Sequence, residues 1–561
     1  MAIKPNPDDE LVFLPLGGAG EIGMNLNAYG YGPPEARKWI IVDIGVTFGN
    51  GATPGVDVIL PDPAFLEERR EDILGIVLTH AHEDHIGAIG WLWPRLRAPV
   101  YATPFTAALV REKLKEKMLL ERVKLTEIPL KGKLALGPFD MELVTLTHSI
   151  PEPNGVAIRT PLGLVWHTGD WKIDPDPMIG ETTDVASLRA MAEEGVLAMV
   201  CDSTNVFVEG ESGSEADVRS ELTTLIKGLK GRVAVTAFAS NVARVESAIH
   251  AAQACGRSVC LVGRSMHRVV AAAQSVGLLQ DAPPFVDEAD AAYFPRDQIL
   301  YLCTGSQGEP RAALTRIATG NHRHITLGAG DHVVFSSRVI PGNEAAIFAL
   351  YNALIERGVD VITGEDENVH VSGHPCRDEL RQMYAWARPR IAVPVHGELR
   401  HLREHVKLAL ELQTPQALAP RNGDLIRLAP GPAQVIDEVP AGRLYADGAA
   451  LIEPDAEALR DRRRIAAEGL IAVALVVDER KHAILSGPDV RLRGLSLSNA
   501  EDEEIAIEDL EAAAEAAFLR LKHGERADDE AAENAVQRAV RKTAEGIWGK
   551  RPFVEVMLMR A

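Results

Sequence analysis

At 561 residues the chain exceeds what one hydrophobic core can hold, so three or four domains are expected. A net charge of −21 argues against a generally basic nucleic-acid binder, and 46% hydrophobic with 25% charged residues is ordinary for a soluble globular protein. The polar start from Met1 to Glu10, the lack of any membrane-length apolar run and five cysteines without a CxxC pair (Cys201, Cys255, Cys260, Cys303, Cys376) point to a cytoplasmic protein with reduced thiols.

In chain order, Leu16 to Asn25 is rich in glycine but is followed by a strand, Leu26 to Tyr31, and not by a helix. That order favours a tight turn near a site over a dinucleotide fingerprint. Trp39 to Val42 reads as a strand ending in Asp43. Ile73 to Leu78 reads as a buried strand that runs into His80-Ala81-His82-Glu83-Asp84-His85, and Ile86 to Trp93 then starts a helix. In an extended turn, residues two apart point the same way, so His80 and His82 can grip one ion. Asp84 and His85, at the helix start, can turn toward a second. Met141 to Thr147 ends in His148, Leu164 to Trp166 leads through His167 to Asp170, and Ile391 to Val395 ends in His396. Polar residues at the carboxyl ends of buried strands are where layered α/β folds place their sites. Imidazole with carboxylate suits zinc or a similar ion, and two such ions suit displacement at phosphorus.

From 208 to 360 the pattern changes to βα alternation. Strands at Val233–Thr236, Ser258–Val262, Ile299–Thr304 and His332–Phe335, with helices at Asn241–Cys255 and Asn343–Arg357, imply an inserted parallel sheet. A linker is expected over 441–460. Beyond it come strands at Leu470–Val477, His482–Ser486 and Val490–Leu497, two acidic amphipathic helices and a strand at Phe553–Met559. Leu510, Ala514, Ala517 and Leu521 recur at helical spacing as core or partner surface. From Glu501 to Glu533 there are 13 acidic and 3 basic residues, nearly half the total net charge, so the rest of the chain is free to present a local basic groove.

The His80–His85 run with its later partners resembles the metallo-β-lactamase superfamily. That resemblance implies one metal on His80, His82 and His148, a second on Asp84, His85 and His396, Asp170 bridging, and Asp43 orienting a ligand. It gives His167 no ligand role, which leaves a packed strand histidine. An insertion followed by a returning histidine resembles the β-CASP nucleases, whose further motifs fit Asp202, His374 and His396. Histidine at the last of these is the pattern of the RNA-directed members. Strings including Thr147–Pro151, Thr168–Lys172, Asp202–Asn205, Thr304–Pro310 and Ser336–Glu344 are similar to the ribonuclease J family, with Ala243 standing where a larger residue is common.

The resemblance implies an αββα metallo-β-lactamase sandwich in two parts, 1–207 and 362–440, around a β-CASP α/β domain at 208–361, with a small α+β domain at 461–561. It implies two Zn2+ per subunit, with Mn2+ or Mg2+ acceptable in the same site. It also implies a 5′-to-3′ exoribonuclease with endonuclease activity, leaving 5′-phosphates in rRNA processing and mRNA decay. Expected partners are single-stranded RNA, preferably 5′-monophosphorylated, further copies of the chain in a homodimer or homotetramer through the C-terminal domain, and an RNA-degradation complex; no membrane is expected. Catalytic roles fall on Asp202 and His374, with His374 either donating a proton to the leaving oxygen or clamping a phosphate. His370, Val371, Ser372, Gly373 and His374 form a small-residue pocket suited to phosphate oxygens. Ser240 and Asn241, at a helix start, offer either a second anion site or a helix cap. Two rivals stay in view: a small-molecule hydrolase, which would not need the inserted domain, and a silent RNA-binding subunit, which would tend to lose ligands.

Overall fold

A computed structural model describes residues 6–340 and 342–561, so Met1 to Pro5 of the polar start and Pro341 of the 336–344 string lie outside the described residues. Strands and clusters below are counted among the described residues. The chain forms two compact units, Met1–Thr47 with Leu60–Gly442, and Phe48–Ile59 with Arg443–Ala561.

In the first unit, an eight-stranded sheet and a seven-stranded sheet lie face to face. Strands such as Lys38–Val42 and Val196–Asp202 are buried almost throughout because both of their faces are covered. Phe13, Tyr29, Val42 and Val77 of one sheet share a core with Val156, Val165, Val200 and Val393 of the other. A second core, including Trp166, Trp171, Leu188, Met199, Leu380 and Leu408, packs helices Val185–Glu194, Arg377–Ala387 and Leu399–Glu411 on the outer face of the seven-stranded sheet. This is the metallo-β-lactamase sandwich, and it carries an inserted five-stranded, all-parallel sheet at Val233–Thr236, Ser258–Val262, Ile299–Cys303, His332–Phe335 and Asp360–Ile362.

Parallel pairing brings the ligand candidates together. Lys38–Val42 runs parallel to Ile73–Val77, and Gly163–His167, Val196–Asp202 and Ile391–Val395 are parallel neighbours. Their carboxyl ends therefore open on one edge, where Asp43, His80, Asp170, Asp202 and His396 follow. Asp43 (φ 67°) and His396 (φ 52°) take left-handed backbone, uncommon without glycine, at the points where the chain turns off its strand. Gly45 is needed for closeness: a Cβ there would stand 1.6 Å from the Asp84 carbonyl oxygen.

Four local readings change. The helix expected from Ile86 is two short ones, Glu83–Ile86 and Ile89–Leu96, because Ala88 N donates to Ile44 O at 3.0 Å and so leaves the helical ladder. The 441–460 stretch is built structure and not a linker: Arg443–Asp447 pairs with Ala450–Ile452 and helix Glu457–Glu468 follows. The unit it belongs to also takes in residues 48–59, with Arg463 Nε donating to Ala52 O at 2.8 Å. The two strands expected at 482–497 are one, Ile484–Arg493.

The apolar helix stripe is Ala506, Leu510, Ala514 and Phe518 with Leu521 packed beside it, and Phe518 takes the place expected for Ala517. It is buried against Ile471, Val473 and Leu475 of its own sheet. Met557 and Met559, about half exposed, lie on the opposite face of that sheet from the buried Val554 and Val556. All five cysteines are free thiols, four buried and Cys255 half-buried. No helix among the described residues is long and apolar enough to cross a membrane.

Candidate metal centre

All seven ligand candidates meet in two groups of four that share Asp170: His80, His82, His148 and Asp170, and Asp84, His85, Asp170 and His396. A third grouping, Asp170, Asp202, His374 and His396, overlaps the second. Donor atoms at about 2.0–2.2 Å from one ion in tetrahedral array stand about 3.3–3.6 Å apart. Here His82 Nδ1 is 3.1 Å from His80 Nε2 and 3.0 Å from His148 Nε2, and Asp170 Oδ2 is 3.9 Å from each of those two Nε2 atoms. In the other group, Asp84 Oδ2 is 3.1 Å from His396 Nε2 and 3.6 Å from His85 Nε2. Asp170 Oδ2 is 3.6 and 3.1 Å from the same two nitrogens.

The far ring nitrogens explain why these donors fit cations. His148 Nδ1 faces the Gly373 carbonyl, which can only accept, so its proton is there and Nε2 turns a lone pair into the cluster. His85 Nδ1 donates to Asp43 Oδ2 at 2.7 Å, and Asp43 is itself fixed by the amide and hydroxyl of Thr79. Thr204 Oγ1 donates to Asp202 Oδ1 and accepts from His396 Nδ1 at 2.9 Å. Lone pairs thus face carboxylate oxygens, an arrangement that needs positive charge between them. Burial opposes a proton on His85, yet Asp170, Asp84 and Asp43 outweigh it and hold its pKa well above the usual range. His80, buried among other imidazoles, is driven well below it.

His374 stands beside this cluster. Its Nδ1 meets Asp202 Oδ2 at 2.8 Å, and its ring stacks on His396 at 5.4 Å. Burial opposes its protonation, and the Asp202 carboxylate, close and hydrogen bonded, outweighs burial and raises the pKa. Gly373 lies flat against the first group, since a Cβ there would reach 2.6 Å from Ser149 Oγ and 2.9 Å from His148 Cε1. Val371 is buried against Gly213, so it gives the pocket backbone only. The pKa of His370 is lowered to about 3 by burial and by Arg244, Arg338 and Lys172, so its imidazole is neutral.

Asn241 caps helix Val242–Ala254: its Oδ1 accepts from Arg244 N at 2.9 Å and its Nδ2 donates to Glu215 Oε1 at 3.2 Å. Both ends of that side chain are engaged, which is the capping role. Ser240 is half-buried and makes no side-chain hydrogen bond to another described residue. Ala243 is buried. His167 packs in its strand with Nδ1 2.8 Å from Tyr29 Oη.

Supporting residues were not singled out from sequence. Arg244, fully buried, pairs with Glu215 and donates to Ser336 O at 2.9 Å and Val369 O at 3.0 Å, tying the inserted domain to the pocket. Asn205 Nδ2 donates to Ser372 Oγ at 2.8 Å and His374 O at 3.0 Å. Asn205 lies in the Asp202–Asn205 string and Arg244 in the helix expected at Asn241–Cys255, beside Ala243, which is where a signal for them existed.

Known proteins decide the family. Ribonuclease J, beta-CASP domain, matches residues 230–354, and Ribonuclease J C-terminal domain matches 457–561. Beta-lactamase superfamily domain matches 38–199, and Zn-dependent metallo-hydrolase RNA specificity domain matches 359–417. The Ribonuclease J of Sinorhizobium meliloti is 49% identical, covering 99% of this chain and 98% of the relative. The chain belongs to the ribonuclease J family. The Ribonuclease J of Synechocystis is 37% identical over 99% of this chain and 87% of its own length. A crystal structure from Enterococcus faecalis, titled a protein of unknown function, shares the fold at TM-score 0.52 and 16% identity, covering 74% of this chain and 100% of its own. As a ribonuclease J-type protein the chain is a metal-dependent ribonuclease, a hydrolase.

Proposed function

We propose that the chain is a 5′-to-3′ exoribonuclease with endonucleolytic activity, acting in the cytoplasm on rRNA precursors and mRNA and leaving 5′-phosphates. The observation that carries this reading is the contact of Gly373 with His148 and Ser149. A 5′-phosphate held by His370 to His374 would place the first internucleotide phosphorus beside the ligand cluster, so one nucleotide is removed at a time. Two Zn2+, or Mn2+ or Mg2+ in their stead, fit the two donor groups, His80, His82 and His148 with Asp170, and Asp84, His85 and His396 with Asp170. When bound they acidify a water and offset charge on the phosphoryl oxygens.

The protein's own groups do the rest. Asp202 fixes His374 through Nδ1, leaving Nε2 free to give a proton to the departing 3′ oxygen or to bind a non-bridging oxygen. Water attack on phosphorus breaks the P–O3′ bond, and the phosphate stays on the downstream 5′ end. Functionally we divide the chain at 207/208, 361/362 and 440/441, with the C-terminal domain from 461. We place a homodimer or homotetramer contact on the sheet face bearing Met557 and Met559; light scattering of Met557→Lys should show a smaller assembly. A larger RNA-degradation complex would use other surfaces.

RNA labelled at either end tests the activity. A 5′ label on monophosphorylated RNA should leave as mononucleotide from the first time points, faster than from triphosphorylated RNA. Mononucleotide released first from a 3′ label would overturn the direction, and equal rates on both 5′ ends would overturn the end preference.

A further inference from the structure

Apart from His374, which is already matched by the Asp202 carboxylate at 2.8 Å, the pocket from His370 to His374 has neutral donors of its own: the His370 imidazole, the Ser372 hydroxyl and backbone amides. A phosphate monoester carries close to two negative charges, and neutral hydrogen bonds hold such a group less well than a cation does. Three cations stand near, and two are already matched. Arg244 is paired with Glu215, both buried. Lys172 Nζ lies 2.8 Å from Asp174 Oδ2 and donates to Gly213 O, also in the interior. The third, Arg338, is exposed and has no carboxylate partner among the described residues.

Arg338 is not a loose surface arginine. It sits in the loop that leaves strand His332–Phe335. Gln307 holds that loop at Arg338 and two residues beyond it, donating from Nε2 to Arg338 O at 2.8 Å and accepting from Ile340 N at 2.9 Å. Two residues before Arg338, Ser336 Oγ donates to Val369 O at 2.6 Å, so the loop lies against the residue before His370. The guanidinium is aimed as well, since Nη1 donates to Asn205 Oδ1 at 2.8 Å. The amide nitrogen of that same buried asparagine binds Ser372 Oγ and His374 O. Arg338 is therefore two hydrogen bonds from the pocket hydroxyl. A guanidinium has five N–H donors in a fixed fork, and the bond to Asn205 uses one.

We propose that Arg338 is the cation that binds the substrate's 5′-terminal phosphate at this pocket and sets the preference for a monophosphorylated end, with Asn205 as the positioning residue that ties its fork to Ser372 and His374. This rests on the reading of 370–374 as the 5′-phosphate pocket. A 5′-hydroxyl end would give the fork nothing to pair with.

The experiment compares wild type, Arg338→Gln and Arg338→Lys on two RNAs of one sequence, 5′-monophosphorylated and 5′-hydroxyl, reading KM and kcat for each, with metal content of each variant. Glutamine removes the charge but keeps an amide donor for Asn205; lysine keeps the charge without the fork. The expected result is a wild-type preference for the monophosphate that falls on the order of ten- to a hundredfold in Arg338→Gln. The fall should lie mainly in KM, with the metals retained and Arg338→Lys intermediate. A glutamine variant that keeps the wild-type preference, or that loses equally on both RNAs, would overturn the role of Arg338 alone. A wild-type enzyme with no preference between the two ends would overturn the pocket reading and this proposal together.

Discussion

Around Asp170 the buried side chains are almost all ionisable: Asp43, His80, His85, His148, Asp202 and His396 are each less than a tenth exposed. Around Phe518 they are all apolar, with Ile471, Val473, Leu510, Val536 and Val540 fully enclosed. The first interior is held by hydrogen bonds that aim lone pairs at a place for cations, and burying such groups is costly unless each is matched. The second is held by apolar area removed from water, about 25 cal/mol per Å2. Damage to one should therefore leave the other standing, and substitutions can test whether it does.

The largest effect is expected from Asp170→Ala. Removing the shared carboxylate should abolish RNA cleavage and empty the protein of metal, while the denaturant unfolding of the C-terminal unit stays as in wild type. A variant that still binds two equivalents of metal would contradict the bridging role. His374→Ala comes next, with a loss of roughly 10²–10⁴ in cleavage, the usual range for a proton-transfer group, and metal content unchanged. Metal loss in that variant, or activity within a few-fold of wild type, would break the separation of His374 from the ligand set.

Phe518→Ala reverses the comparison. It should cost the C-terminal unit about 3–5 kcal/mol, read from its denaturant midpoint, with metal content intact; co-loss of metal would mean the two interiors are not independent. The smallest effect is expected from Asn241→Ala. A lost helix cap costs about 1 kcal/mol, and KM for monophosphorylated RNA should hardly move. A tenfold rise in KM would restore an anion-binding role to that side chain.

The His/Asp cluster that could hold metal was legible in the sequence because its chemistry fixes residue type. Only a few side chains bind such ions, and a strand end followed by His or Asp is visible wherever it falls. The residues that aim the ligands were not visible. Thr79 and Thr204 act through an amide and a hydroxyl each, and Asn205 meets Arg338 across 133 positions, with no spacing to betray the pairing.

Alternation and helical period carried the inserted sheet and most of the C-terminal elements. They failed where the chain was short or rich in glycine and proline: residues 48–59 were expected within the 1–207 part and group with the C-terminal unit, and Gly487-Pro488 split one strand into two. In the stripe Leu510, Ala514, Ala517, Leu521 only Ala517 is displaced, because Ala517 and Phe518 both fit a helical period and the bulkier ring takes the core position.

Crystals of the full chain measured at the zinc absorption edge test the two-cation arrangement most directly. Two anomalous peaks per chain are expected, one within about 2.0–2.2 Å of the His80, His82 and His148 nitrogens and one at the same range from His85 and His396, with Asp170 reaching both. A single peak, or a peak held by Asp202 and His374, would contradict it.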